Sequence, residues 1–337
     1  MPRQRLALIV MVLLSALCPA QDKLPQQRHF VLHYAVNVKD VPAGKEVRVW
    51  IPLIHSDAFQ DVQVLSKEGD LKLRQSIDDP SGNSSLVAEA EPTKTRDYRF
   101  AIEYDVVRFE RTDLVDGKLA PGAHPERSSA AYQAGFLQAD RLGPVTGAIA
   151  QTAADESKGA GTPVEKANAI YEYLQRALRF APSGKDCCLG DANKALDAKQ
   201  GDSMDLTAVF VAMLRSQQIP ARAAVGFQLP ADKHSGELTS HFAWAELYGA
   251  PMGWLPADLA AGVHHPDQLG YSFGSLDLNR IQVSVGRDLK LNPPQEGGAV
   301  NFFVDPYVEV EGKPYSKVSL DVSFQDGGAS AAGAIKH

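Results

Sequence analysis

Two runs decide the fold: GDSMDLTAVFVAMLRSQQIPARAAVGF (Gly201–Phe227) and HFAWAELYGAPMGWLPAD (His241–Asp258). In the first, Leu206, Val209, Phe210, Met213 and Leu214 recur at i, i+3, i+4, i+7 and i+8, the apolar stripe of a helix. Pro220 stops that helix, and Ala221–Phe227 reads as a buried strand leaving it. The second run reads as a hairpin, with strands His241–Tyr248 and Trp254–Asp258 around a Gly249–Gly253 turn. Pairing Tyr248 with Gly253 sets Ala243 opposite Asp258. His241 and Asp258 then become diagonal neighbours on one sheet face, about 7–8 Å apart at Cα. A helix N-terminus carrying Ser203, facing strands that carry His241 and Asp258, predicts a catalytic triad.

These runs resemble the core of the transglutaminase-like superfamily. That core reads G-x-C-x-D, a helix ending in R-x-x-G-I-P-A-R, a strand ending in G-[YF], then H-x-W-x-E and G-W-x-x-x-D. Here stand Arg215, Ile219-Pro220-Ala221-Arg222, Gly226-Phe227, His241 to Glu246 and Gly253-Trp254 to Asp258, in the same order. Two positions depart from the pattern: Gln218 replaces the glycine at the helix end, and Ser203 replaces the nucleophilic cysteine.

The resemblance implies an α+β fold. An N-terminal antiparallel β-sandwich is followed by a transglutaminase/papain-like core, whose nucleophile helix packs on an antiparallel sheet. It also implies acyl transfer from amides: a thiolate attacks, His241 shuttles the proton, and Asp258 holds the imidazole. Trp244, Trp254 and Asp202 are expected to wall the cleft. Glu246 and Asp205 read as structural, satisfying backbone groups or Arg222.

Ser203 divides the functional readings. A hydroxyl is not ionised by a helix dipole, and an oxygen in a site built for sulfur falls short of its target. The preferred reading is a degenerate site that keeps the cleft and binds a peptide, protein or cell-envelope polymer. Serine also suits a helix N-cap, which gives it a structural reason to stand there. The alternatives are a working Ser203-His241-Asp258 triad, or an engineered Cys-to-Ser form of a Cys-His-Asp enzyme.

Outward from the core, the 337 residues divide into 1–20, 26–112, 113–161, 162–325 and 326–337. The first segment has Arg3 and Arg5, the apolar run Leu6–Leu17 and a Cys18-Pro19-Ala20 exit. It predicts a signal peptide and a periplasmic or secreted protein. The run is too short for a stable membrane span, and bulky Leu17 argues against a lipid anchor on Cys18. Residues 26–112 form a β-sandwich by alternation, as in Phe30, Leu32, Tyr34 and in Val47, Val49, Ile51. The phrase Val47–Leu53 also resembles the β domain that precedes such cores in exported bacterial proteins.

Residues 113–161 read as a linker and a helical segment. Thr162-Pro163-Val164-Glu165 then opens a helix with a capping box. Strands are expected at Ile281–Val285 and Asn301–Val310, then a frayed tail over 326–337. The net charge of −7 argues against nucleic acid as a partner. The adjacent Cys187-Cys188 pair has no metal-ligand spacing, and His264-His265 with Asp267 gives only a faint metal signal. No cofactor motif or metal site is expected.

Overall fold

Long alternating runs with few helix formers build the two larger sheets of this chain. The computed structural model describes residues 26–77, 81–115, 117–181, 189–265 and 269–327. The segments read as signal peptide and cysteine pair, Asp267 and residues 328–337 lie outside these.

One five-stranded antiparallel sheet runs in the order Ser235–Glu237, Val318–Asp326, Gln27–Val41, Arg96–Phe109, Gln60–Gly69. A second runs Lys313–Pro314, Tyr307–Val310, Val47–Leu53, Ser84–Ala90, Arg74–Ile77. Phe30, Leu32, Tyr34, Val49, Ile51, Ile102 and Tyr104 are buried in one shared core between them. Each such aliphatic or aromatic side chain contributes about 1.5–3 kcal/mol relative to exposure.

The boundary expected at residue 112 does not separate two units. Val318–Asp326 pairs with the first strand, Phe30 opposite Asp326, and Tyr307–Val310 pairs with Val47–Leu53. The strands assigned to the core thus close the sandwich instead. Alternation identifies a strand but not its sheet, and these pairings span nearly the whole chain. Val225, Phe227, Ala243 and Met204 join the same apolar cluster, so sandwich and core are packed as one body.

The core sheet has four antiparallel strands, ordered Gly253–Ala257, His241–Gly249, Ala221–Gln228, Arg280–Val285. The helix Ser203–Ser216 covers one face: Leu206, Val209, Phe210, Met213 and Leu214 cluster with Ala245, Leu247, Leu255 and Ala257. Helices Ala148–Glu156, Pro163–Ala177 and Ala192–Ala198 pack around it, which is why it is apolar on nearly every side. The capping box forms as expected. Thr162 Oγ1 accepts the Glu165 N–H at 3.2 Å, and Glu165 Oε2 accepts the Thr162 N–H at 2.9 Å.

The helix ends ahead of Pro220 in a Schellman turn, with the Gln218 and Ile219 N–H groups donating to the Arg215 and Leu214 carbonyls. Gln218 occupies the left-handed position at φ 60°, where the family pattern has glycine.

Candidate active site

Ser203 is the first residue of its helix, and the N-cap is Asp202, not Ser203. Asp202 Oδ1 accepts the Asp205 N–H at 3.0 Å, so the capping role expected of the serine is already filled. Gly201 is required beside it, because a Cβ there would stand 2.5 Å from Asp205 Cβ. Asp205 Oδ1 accepts the Gly190 N–H at 2.9 Å, in keeping with a structural role. Ser203 is 2% exposed, and its Oγ accepts the Ala243 N–H at 3.2 Å.

His241 begins its strand and remains partly exposed. Its ring lies 5.6 Å from that of Phe227, and Nε2 lies 3.1 Å from Asp305 Oδ1. Among the described residues no hydrogen bond joins it to Ser203.

Asp258 lies elsewhere. It is 1% exposed, with Oδ1 accepting the Ala261 N–H at 2.8 Å as N-cap of Leu259–His264. Oδ2 lies 2.6 Å from Arg280 Nη1. Arg280 also holds Asp277 through Nε at 3.1 Å, and its guanidinium sits 4.6 Å from the Phe242 ring centroid. Burial pushes the Asp258 carboxyl up, with Arg280 opposing.

The expected His241–Asp258 contact is therefore corrected, and the cause is register. The hairpin pairs Tyr248 with Trp254 and Ala245 with Ala257, one residue away from the expected alignment. That brings Asp258 level with Trp244, on the face of Phe242 and Arg280. A one-residue slip moves a side chain to the opposite face of a sheet. The motif agrees: counted back from Trp244 and Glu246, the histidine of H-x-W-x-E falls on Phe242, and His241 stands one residue early. His241 shares its face with Ala243 and Ala245, toward the Ser203 helix.

The two tryptophans are also corrected. Trp244 and Trp254 are both 0% exposed, so neither walls an open cleft. Trp244 packs with Ala224, Leu276 and Val285. Trp254 lies under the Arg222 guanidinium at 4.3 Å and donates from Nε1 to Ser128 Oγ at 2.9 Å. Glu246 is structural as expected, accepting from Arg222 Nε at 2.7 Å and Arg111 Nη1 at 2.8 Å.

Sequence reasoning missed Arg280 and Asp305. Arg280 opens a largely buried strand and Asp305 lies in a loop, and neither belongs to a motif. A lone arginine ahead of a buried strand was the available signal, since burial demands a carboxylate partner.

A 430 Å³ cavity opens beside the Asp258–Arg280 pair, lined also by Tyr271, Ser275 and Asp277. Ser275 Oγ is buried and has no hydrogen-bond partner among the described residues. A 690 Å³ cavity shares Tyr271 and Ser275 and continues past Leu114, Val164, Phe273 and Glu172. Among the described residues, no three His, Cys, Asp or Glu side chains converge as a metal site. No described helix is long and apolar enough to cross a membrane.

The model of the transglutaminase-like superfamily matches residues 150–259, the span that holds the buried helix, the strand after it and the hairpin. An uncharacterized protein of Haemophilus influenzae is 26% identical over 313 residues, covering 81% of this chain and 84% of its own length. The crystal structure of a candidate cysteine protease from Cytophaga hutchinsonii aligns with a TM-score of 0.52. It is 14% identical and covers 90% of this chain and 100% of that one. The periplasmic domain of TgpA from Pseudomonas aeruginosa gives a TM-score of 0.34 at 13% identity, covering 73% of this chain and 91% of that domain. The Cytophaga structure shares the fold.

Proposed function

We propose that this is an exported transglutaminase-like protein, periplasmic or secreted, whose cleft has lost acyl-transfer chemistry and binds a peptide, protein or cell-envelope polymer. The observation that carries this reading is the separation of the would-be triad. Asp258 lies 2.6 Å from Arg280, while His241 lies 3.1 Å from Asp305. An imidazole must reach both nucleophile and carboxylate to act as their proton shuttle, and His241 has the Asp305 carboxylate but, among the described residues, no hydrogen bond to Ser203.

Ser203 needs general-base help to attack an amide, since its hydroxyl is not ionised at neutral pH. Its Oγ is instead buried against the Ala243 N–H. Phe242, where the motif has histidine, offers no base. The engineered-cysteine alternative loses support on related grounds, because the motif histidine position is Phe242 and, among the described residues, no hydrogen bond links His241 to residue 203.

The two cavities that share Tyr271 and Ser275 support a binding role, with apolar walls and several carboxylates, Asp277, Glu165 and Glu172 among them. Pockets of this kind, mainly apolar with a few placed polar groups, are the usual form of a ligand site.

The test combines labelling and binding. The native protein should show no labelling by a serine-directed phosphonate and no turnover across a peptide and glutaminyl amide panel. Binding of soluble cell-envelope peptides should survive Ser203→Ala and weaken at least fivefold with Tyr271→Ala. Labelling at Ser203 that disappears with His241→Ala would overturn the reading.

A further inference from the structure

Arg287 follows the last core strand, Arg280–Val285, and is 7% exposed. Its Nε and Nη2 donate to Asn301 Oδ1 at 3.2 and 2.8 Å, and Nη2 donates to the Leu189 carbonyl at 3.1 Å. The guanidinium lies 4.6 Å from the Phe302 ring centroid. All these acceptors are neutral. Nη1 has no hydrogen-bond partner among the described residues.

A guanidinium stays charged in proteins, and a buried charge needs a counter-charge and a full set of hydrogen bonds. Asp140 is paired elsewhere and Asp288 only in part, its buried Oδ1 lying 3.8 Å from Arg141 Nε with no hydrogen-bond partner among the described residues. Asp140 Oδ1 lies 2.8 Å from Arg215 Nη1, and Asp288 Oδ2 accepts the Arg141 N–H at 2.6 Å. Burial lowers the Arg287 pKa; Asp140 and Asp288 oppose that shift, while Arg215 and Arg141 reinforce it.

Arg287 lines a 220 Å³ cavity with Arg215 and Lys290, the two aspartates, and the rings of Tyr132 and Phe136. Three cations against two carboxylates make it locally positive in a chain of net charge −7. With Nε and Nη2 already used, Nη1 alone is open, and its two N–H groups suit a carboxylate, whereas a phosphate calls for more donors. The aromatic walls suit an apolar stem.

We propose that this cavity binds a small organic carboxylate, its oxygens on Arg287 Nη1 and its stem against Tyr132 and Phe136. Arg215 lies twelve residues along the helix from Ser203, a rise of about 18 Å, so this site is separate from the cleft and independent of its reading.

The test is calorimetric titration of the full chain with benzoate, butyrate and inorganic phosphate. Benzoate should bind saturably at concentrations below about 10 mM, and phosphate at least tenfold more weakly. Arg287→Gln should weaken benzoate at least tenfold while circular dichroism shows an intact fold. Gly135 also lines the cavity, and a Cβ there meets nothing within 4 Å, so Gly135→Leu should fold and reduce binding by blocking the wall. No saturable benzoate binding, phosphate binding tighter than the acids, or undiminished binding in folded Arg287→Gln would overturn the proposal. If Arg287→Gln does not fold, undiminished binding in Gly135→Leu overturns it.

Discussion

The two faces of the His241–Gly249 strand treat charge in opposite ways. On the Phe242, Trp244 and Glu246 face, ionic groups are buried and matched: Glu246 with Arg111 and Arg222, Asp258 with Arg280. On the face toward the Ser203 helix, Ala243, Ala245 and Leu247 are apolar, and His241 meets Asp305 at the partly exposed rim. Asp258 thus belongs to a structural ion network, and a one-residue displacement separates His241 from it.

The largest expected effect breaks this network. Arg280→Ala should lower the unfolding free energy by about 3–5 kcal/mol in urea, because Asp258 would be left buried without its counter-charge. Asp305→Asn, at a side chain 54% exposed, should cost less than about 1 kcal/mol. Equal losses would break the contrast between the faces.

Glu246 sharpens the contrast through pH. Burial alone would raise its carboxyl, but Arg222 and Arg111 outweigh that and hold it below its ordinary value. With the folded pKa lower than the unfolded one, the stabilisation is present above the unfolded carboxylate pKa. It is lost as pH falls through the folded value. Glu246→Gln should cost about 3 kcal/mol near neutral pH, and the gap to the native chain should narrow in acid. Urea titrations at stepped pH check this; a gap that widens in acid contradicts the network.

Gln218 gives the smallest effect, with the opposite sign. At φ 60° and exposed, it holds a backbone conformation that glycine adopts freely. Gln218→Gly should stabilise by about 1 kcal/mol or less, read as a small upward shift in melting temperature. A loss would show that the glutamine makes a compensating contact.

Local structure was legible in the sequence wherever neighbours along the chain determine it. The stripe from Leu206 to Leu214, the Thr162 capping box and the hairpin strands all follow from short-range spacing, and they form. Relations that depend on the sheet as a whole were not legible. A glycine-bounded turn from Gly249 to Gly253 admits two registers, and the alternatives put Asp258 on opposite faces. Counting back from Trp244 would have resolved the choice, since that spacing places Phe242 at the motif histidine. The return of Val318–Asp326 to the first strand, and the meeting of Arg280 with Asp258, join residues too distant for any periodicity to link.

The central claim is that His241 does not serve the Ser203 position. Its most direct test is the iodoacetamide alkylation rate of Ser203→Cys at pH 7, with and without His241→Ala. A helix N-terminus alone can lower a thiol pKa, so the comparison between the two variants carries the result. The two rates should agree within about twofold. A fall of tenfold or more on removing His241 would show an imidazole-activated thiol, and would contradict the account.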